Sequence, residues 1–141
     1  MASEYDREDA LEIDRLMKES DSSSFARLLD LKIIRADQGY ALASLRISKE
    51  KHLNFRGRTH GAAIFAVADH ACGVCGNSLG RKAVLLNSNI NMFANPEEGS
   101  LIEAEARMIH VDNVKGDMII DVHSGDGKLL ARCHCTVFFV D

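Results

Sequence analysis

Two features of this sequence could do chemistry, and both fall in one stretch, residues 54–69, NFRGRTHGAAIFAVAD. The first is Asp69, which follows Val67 and Ala68 in an otherwise apolar run. Burying a carboxylate costs several kcal/mol unless something compensates it. In a helix interior an aspartate caps nothing and has poor propensity. Such a residue is paired with an Arg or His, sits where the helix meets water, or is held for a reaction. The second feature is Thr59-His60-Gly61, where the apolar run begins. N–H groups in a first helical turn lack intrahelical partners and carry partial positive charge. A glycine there lets a reacting carbonyl come close to the backbone, and an oxyanion developing on it would suit the position. The plainer reading is a threonine cap followed by a flexible entry glycine. His60 reads as a hydrogen-bonded orienting residue more than as a base.

Geometry links the two features. Gly61 and Asp69 are eight residues apart, which is about 12 Å along one helix axis. A single carbonyl cannot be held by the first and attacked with help from the second. If both serve one reaction they come from different subunits, and two such helices paired antiparallel across a twofold axis would bring each Gly61 near the partner's Asp69.

The elements that must position these residues are legible from periodicity. Residues 61–77 are apolar nearly all round and free of proline, which predicts a buried helix. Gly80 and the basic pair Arg81-Lys82 close it. Upstream, residues 4–19 read as a helix, Asp21 to Ser24 as an interruption with a cap, and 25–29 as a short helical turn. Strands are expected over 31–36 and 40–47, joined at Asp37-Gln38-Gly39, and the loop 48–59 is polar. Downstream, strands are expected over 83–94, 101–110, 118–123 and 129–140, with 111–116 as a connection and Gly125-Asp126-Gly127 as a hairpin turn. Asn87, Asn89 and Asn91 alternate with Ser88, Ile90 and Met92. Long antiparallel strands with one central helix predict an α+β fold in which a sheet wraps that helix. We divide the chain into an N-terminal helical extension, 1–24, and a main domain, 25–141.

Composition narrows the function class. The chain has 141 residues and a net charge of −4, and it lacks the basic stripe expected of a nucleic-acid binder. No apolar run approaches the roughly 20 residues that span a bilayer, and the acidic, polar N-terminus is unlike a signal peptide, so a cytoplasmic location is expected. Cys72 and Cys75 form a C-x-x-C, but Cys133 and Cys135 have C-x-C spacing without the turn glycines of a zinc knuckle. The cysteines therefore read as small buried hydrophobes, and neither metal nor cofactor is expected.

The stretch 54–69 resembles the hotdog-fold thioesterases of the phenylacetate-degradation (PaaI-like) type. Their pattern is an asparagine, a short loop, His-Gly-Gly at the helix start, then aspartate in a Leu/Val-Ala-Asp context. Asn54, His60, Gly61 and Val67-Ala68-Asp69 stand at those spacings, and residues 95–99, NPEEG, look like the family's turn. The resemblance implies an acyl-CoA thioesterase whose coenzyme A belongs to the substrate. It implies that Asp69 acts as general base or nucleophile, the Gly61 N–H holds the oxyanion, Asn54 positions water or carbonyl from the opposite subunit, and His60 fixes the loop. It further implies a homodimer, which could pair into a homotetramer. The second glycine of the motif is Ala62 here, whose methyl narrows the approach. Some relatives place a hydroxyl early on the following strand, where only Asn87 could supply a polar group. Arg56, Arg58, Arg81 and Lys82 are the basic residues that could meet a coenzyme A phosphate. Two rival readings stay open: a hotdog protein that binds acyl-CoA with little turnover, and a hotdog hydratase or dehydratase using His70 beside Asp69.

Overall fold

The computed structural model describes residues 3–141, so the first two residues of the expected extension lie outside it. The element order is α1 (Glu4–Ser22), α2 (Ser24–Leu29), β1 (Lys32–Asp37), β2 (Tyr40–Arg46), α3 (Gly61–Asn77), β3 (Ala83–Met92), β4 (Leu101–Val111), β5 (Lys115–Ser124) and β6 (Leu129–Phe139). The strands form one six-stranded sheet in the order β1-β2-β4-β5-β6-β3, antiparallel throughout. This sheet wraps α3, which gives the hotdog fold. Among the described residues, no helix is long and apolar enough to cross a membrane.

The inner face explains how the helix and sheet come together. β2 turns Ala41, Ala43 and Leu45 inward, and β4 turns Ile102, Ala104 and Ala106 inward, all fully buried. Against them α3 sets Ala63, Ala66, Ala68 and Ala71, with Ile64, Val67 and Val74 filling between. Small side chains on both surfaces let the helix axis approach the sheet, and the larger ones contribute about 1.5–3 kcal/mol each on burial. Contrary to the expectation from its composition, the helix is not buried all round. Gly61, Ala62, Phe65, Asp69 and Gly73 form one stripe that stays partly or fully exposed.

Helix and strand ends differ from the expectation in instructive ways. α3 stops at Asn77, before Gly80, because side chains take over the end. Asn77 Nδ2 donates to the carbonyls of Gly73 and Ala83. The buried Ser78 hydroxyl donates to the Cys75 carbonyl at 2.6 Å and accepts from Gly39 N at 2.8 Å. The connection before β5 is also shorter than 111–116. Asp112 Oδ1 accepts from the backbone of Val114 and Lys115, so β5 begins at Lys115. Gly116 sits inside the strand because Met108 and Phe139 fill the space a side chain would need. In β3 the register shifts between Leu85 and Asn87, after which Asn87, Asn89 and Asn91 lie opposite Thr136, His134 and Arg132.

All four cysteines are free and buried. Burial pushes the Cys75 thiol up to about 12. The neighbouring Cys135 thiol, together with burial, also keeps Cys133 protonated. Among the described residues no group of three or more His, Cys, Asp or Glu side chains is placed to hold a metal ion.

Ser78 ties the end of α3 to the β1–β2 turn. Ser78→Ala removes both bonds and strands the Gly39 N–H, so it should lower unfolding stability by about 1–3 kcal/mol in urea denaturation.

Candidate active site

The loop entering α3 is a small built structure. Asn54 N donates to Arg58 O, Gly57 N donates to Asn54 O, and His60 N donates to His52 O at 2.7 Å. Leu53 and Thr59 form an antiparallel bridge. The Asn54 side-chain oxygen accepts from Arg56 N and Arg58 N, while its Nδ2 makes no hydrogen bond among the described residues. Gly57 adopts φ 73°, a left-handed conformation that the turn requires. The hairpin holds Phe55 almost wholly in solvent, 91% exposed.

Two residues that sequence reasoning did not single out anchor this loop. His52 is buried, with Nδ1 accepting from Ser48 N at 2.9 Å and Nε2 donating to Leu29 O at 2.8 Å. Both contacts fix it as a neutral imidazole joining the loop to α2. The Asn95 amide clamps the Thr59 backbone, accepting from its N–H and donating to its carbonyl. Thr59 is not the helix cap. Its hydroxyl donates to Pro96 O, and His60 takes the capping place, with Nδ1 accepting from Ala62 N at 3.1 Å.

That arrangement leaves the Gly61 N–H free. Ala62 N is taken by the His60 ring, and Ala63 N by the His60 carbonyl at 2.9 Å. The Gly61 N–H has no partner among the described residues. A Cβ at position 61 would come within 3.2 Å of Met92 Cε, so the flexible Met92 side chain lies over the helix entrance.

Asp69 lies two turns further along the exposed stripe of α3, partly buried. Among the described residues it has neither a hydrogen bond nor an ion pair, which removes the structural-pair reading of this carboxylate. Because no buried side-chain oxygen lacks a partner, the Asp69 oxygens reach the surface of the chain. Burial raises its pKa above the ordinary carboxylate value of 3.8, and the charge of His70 offsets part of that rise. His70 points elsewhere: its Nε2 lies 3.0 Å from Asp21 Oδ1 of α1, so it does not face a substrate together with Asp69.

The remaining basic residues divide. Arg56 and Arg58 are exposed on the loop. Arg81 is engaged within the chain, donating to Asp141 and to Asn113 O and stacking on Phe139 at 4.2 Å. Arg81 and Lys82 border a groove of about 350 Å³ between α1 and the far end of α3, with Glu12, Glu19 and Asp141 on its other walls. Asn87 is exposed on the outer face of β3.

With this fold and site in view, residues 56–131 match the family model described as Thioesterase superfamily, more than half of the chain, and the chain belongs to that superfamily. It is 32% identical over 114 residues to an Archaeoglobus fulgidus protein named "Putative esterase", covering 81% of this chain and 73% of that one. Its fold is that of Escherichia coli PaaI, from the phenylacetic acid degradation operon, with a TM-score of 0.87 at 24% identity and 95% of both chains covered. A hypothetical thioesterase from Streptococcus pneumoniae, solved with coenzyme A, has a TM-score of 0.80 at 21% identity, covering 88% of this chain and 96% of that one.

The Asp69 shift has a stability consequence with a definite sign. A carboxyl whose folded pKa is raised binds more protons folded than unfolded, so stability falls as pH rises from 3.8 through the folded value. Above that window the full penalty is present. Asp69→Asn should therefore melt higher than wild type at pH 7, and the gap should close as pH falls toward 3.8 in thermal denaturation series.

Proposed function

We propose that the chain hydrolyses an acyl-CoA thioester to free acid and coenzyme A, at a site shared by two copies and without a metal ion. Asp69 of one copy takes a proton from the attacking water. The Gly61 N–H of the other copy, at the positive end of α3, stabilises the oxyanion before the thiol leaves. Asn54 offers its free Nδ2 to the water or the carbonyl, and His60 holds the helix entrance in shape. Arg56 and Arg58, exposed on the entrance loop, would meet the coenzyme A phosphates.

The observation that carries this reading is a partly buried carboxylate with no partner among the described residues, on the same helix as an unused N–H. The two lie about 12 Å apart along the axis, so one substrate carbonyl needs them from different chains. A dimer is further supported by β3. It ends the sheet, leaving one edge unpaired, and exposes Leu85, Leu86 and Met92, with Phe93 exposed just beyond its end. An unpaired edge bearing large apolar side chains invites pairing with a second copy. The acyl-CoA assignment rests on superfamily membership and on the coenzyme A named for the S. pneumoniae neighbour. Ala62 is exposed at the helix start, and its methyl shapes how closely the acyl group or pantetheine approaches.

Asp69→Asn should abolish release of free thiol from the best substrate in an acyl-CoA panel, with the folded dimer retained. Hydrolysis at the wild-type rate would remove Asp69 from the chemistry. Wild-type binding of acyl-CoA without thiol release would make the chain a binding protein.

The shared site has its own test. Gly61→Pro removes the oxyanion donor at a position that suits proline. Gly61 is not among the positive-φ glycines, its N–H has no helical partner, and His60 at φ −67°, ψ 133° is extended, as a residue before proline should be. Gly61→Pro and Asp69→Asn homodimers should each be inactive. After subunit exchange in equal mixture, half the dimers are mixed and one of their two sites is intact, so about a quarter of wild-type activity should return. Exchange shown by tagged pull-down, with both variants folded and no activity recovered, would contradict the cross-chain site.

A further inference from the structure

The free N–H of Gly61 lies beside the side chain of an edge-strand residue. A Cβ on Gly61 would come within 3.2 Å of Met92 Cε and 3.4 Å of Met92 Sδ. In a helix the Cα–Cβ bond tilts toward the N-terminus, the direction in which the first-turn N–H groups also point. The Met92 thioether therefore fills the space next to that N–H, and a glycine at 61 is what leaves the space to it.

Strand register puts Met92 there. Met92 and Ile90 lie opposite Ala131 and Cys133 of β6, which are fully buried, so both side chains share the inner face of β3. At the far end of the helix a Cβ on Gly76 would meet Ala83 Cβ at 3.5 Å, so α3 and β3 run side by side in opposite directions. Phe65 follows Gly61 by one turn on the same side of α3. Phe65 and Ile90 are half-buried against the core, while Met92 stays 46% exposed. An apolar wall thus borders the Gly61 N–H, with its outermost member still open. The entrance loop offers instead the polar groups of Asn54, Arg56 and Arg58.

A thioester carbonyl carries two unlike substituents, a hydrocarbon and a thiol chain rich in amides. The first suits the wall and the second suits the loop. We propose that Met92 sets acyl specificity: it packs on the carbon next to the thioester carbonyl and favours acyl groups unbranched there. This rests on the reading of Gly61 as oxyanion donor. An unbranched carbon can turn a hydrogen to Met92, a singly branched one has a single hydrogen to turn, and a fully branched one must present a methyl. Met92 is unbranched and flexible, so it discriminates by having to move aside.

The test compares kcat/KM for thiol release from three isomers, pentanoyl-, 2-methylbutanoyl- and 2,2-dimethylpropanoyl-CoA, in wild type, Met92→Ala and Met92→Leu. Intrinsic differences in thioester reactivity cancel when each isomer is referred to pentanoyl-CoA and the proteins are compared. Met92→Ala should raise the relative value for 2,2-dimethylpropanoyl-CoA about tenfold or more, and that for 2-methylbutanoyl-CoA by less. Met92→Leu keeps the bulk and should hold both within about threefold of wild type. Where an isomer releases no detectable thiol, its inhibition constant against the best substrate of the panel takes the place of kcat/KM. A merely structural Met92 would lower all three alike; unchanged ratios in a folded Met92→Ala would overturn the proposal. If Met92→Ala does not fold, Met92→Val, shorter and suited to a strand, carries the same test. Full activity in Asp69→Asn would defeat the proposed function itself, whereas hydrolysis that needs Asp69 with unmoved ratios defeats only the role of Met92.

Discussion

The organisation of this molecule depends on the cost of holding the Asp69 carboxylate in an apolar helix without a partner among the described residues. Most buried carboxylates are neutralised by a nearby guanidinium or imidazole. Here the adjacent imidazole is turned away to Asp21, and the Asp69 oxygens are left at the surface. The wrapped sheet supplies the stability that tolerates this, through inner rows of small and branched side chains that let α3 sit close.

The same helix sets how the proposed site would be divided. Its rise carries Asp69 away from the N-terminal amides, while His60 and the His60 carbonyl occupy the next two N–H groups and spare that of Gly61. The entrance is held rigid by contacts from distant parts of the chain: His52 to Leu29, Asn95 to Thr59, and Thr59 to Pro96. An edge strand rich in exposed apolar side chains runs beside this helix. In the proposed dimer, a twofold pairing would complete the site and cover this edge.

Much of this was legible in the sequence because it is local. The start of α3, the break and cap before α2, and the alternation of Asn87 to Met92 follow from periodicity and turn chemistry within a few residues. The superfamily was legible from the spacing of Asn54, His60, Gly61 and Asp69. What was missed is non-local. His52 reads as a polar loop residue, yet both its nitrogens bond to backbone, one of them 23 residues away. Asn95 reads as part of a turn, yet it clamps a residue 36 positions earlier. Gly116 reads as the end of a connection, yet it lies within β5 because Met108 and Phe139 occupy its side-chain space. The true cap, His60, was hidden because threonine caps helices more commonly than histidine. Nor could spacing alone tell whether His70 pairs with Asp69 or with α1.

The central claim, that Asp69 is an uncompensated carboxylate, is tested most directly by following its carboxyl carbon by NMR across pH in the full chain, with Asp69→Asn to assign the signal. The account predicts a titration above the ordinary carboxylate value of 3.8. A titration at or below that value, as for a carboxylate held in an ion pair, would contradict it.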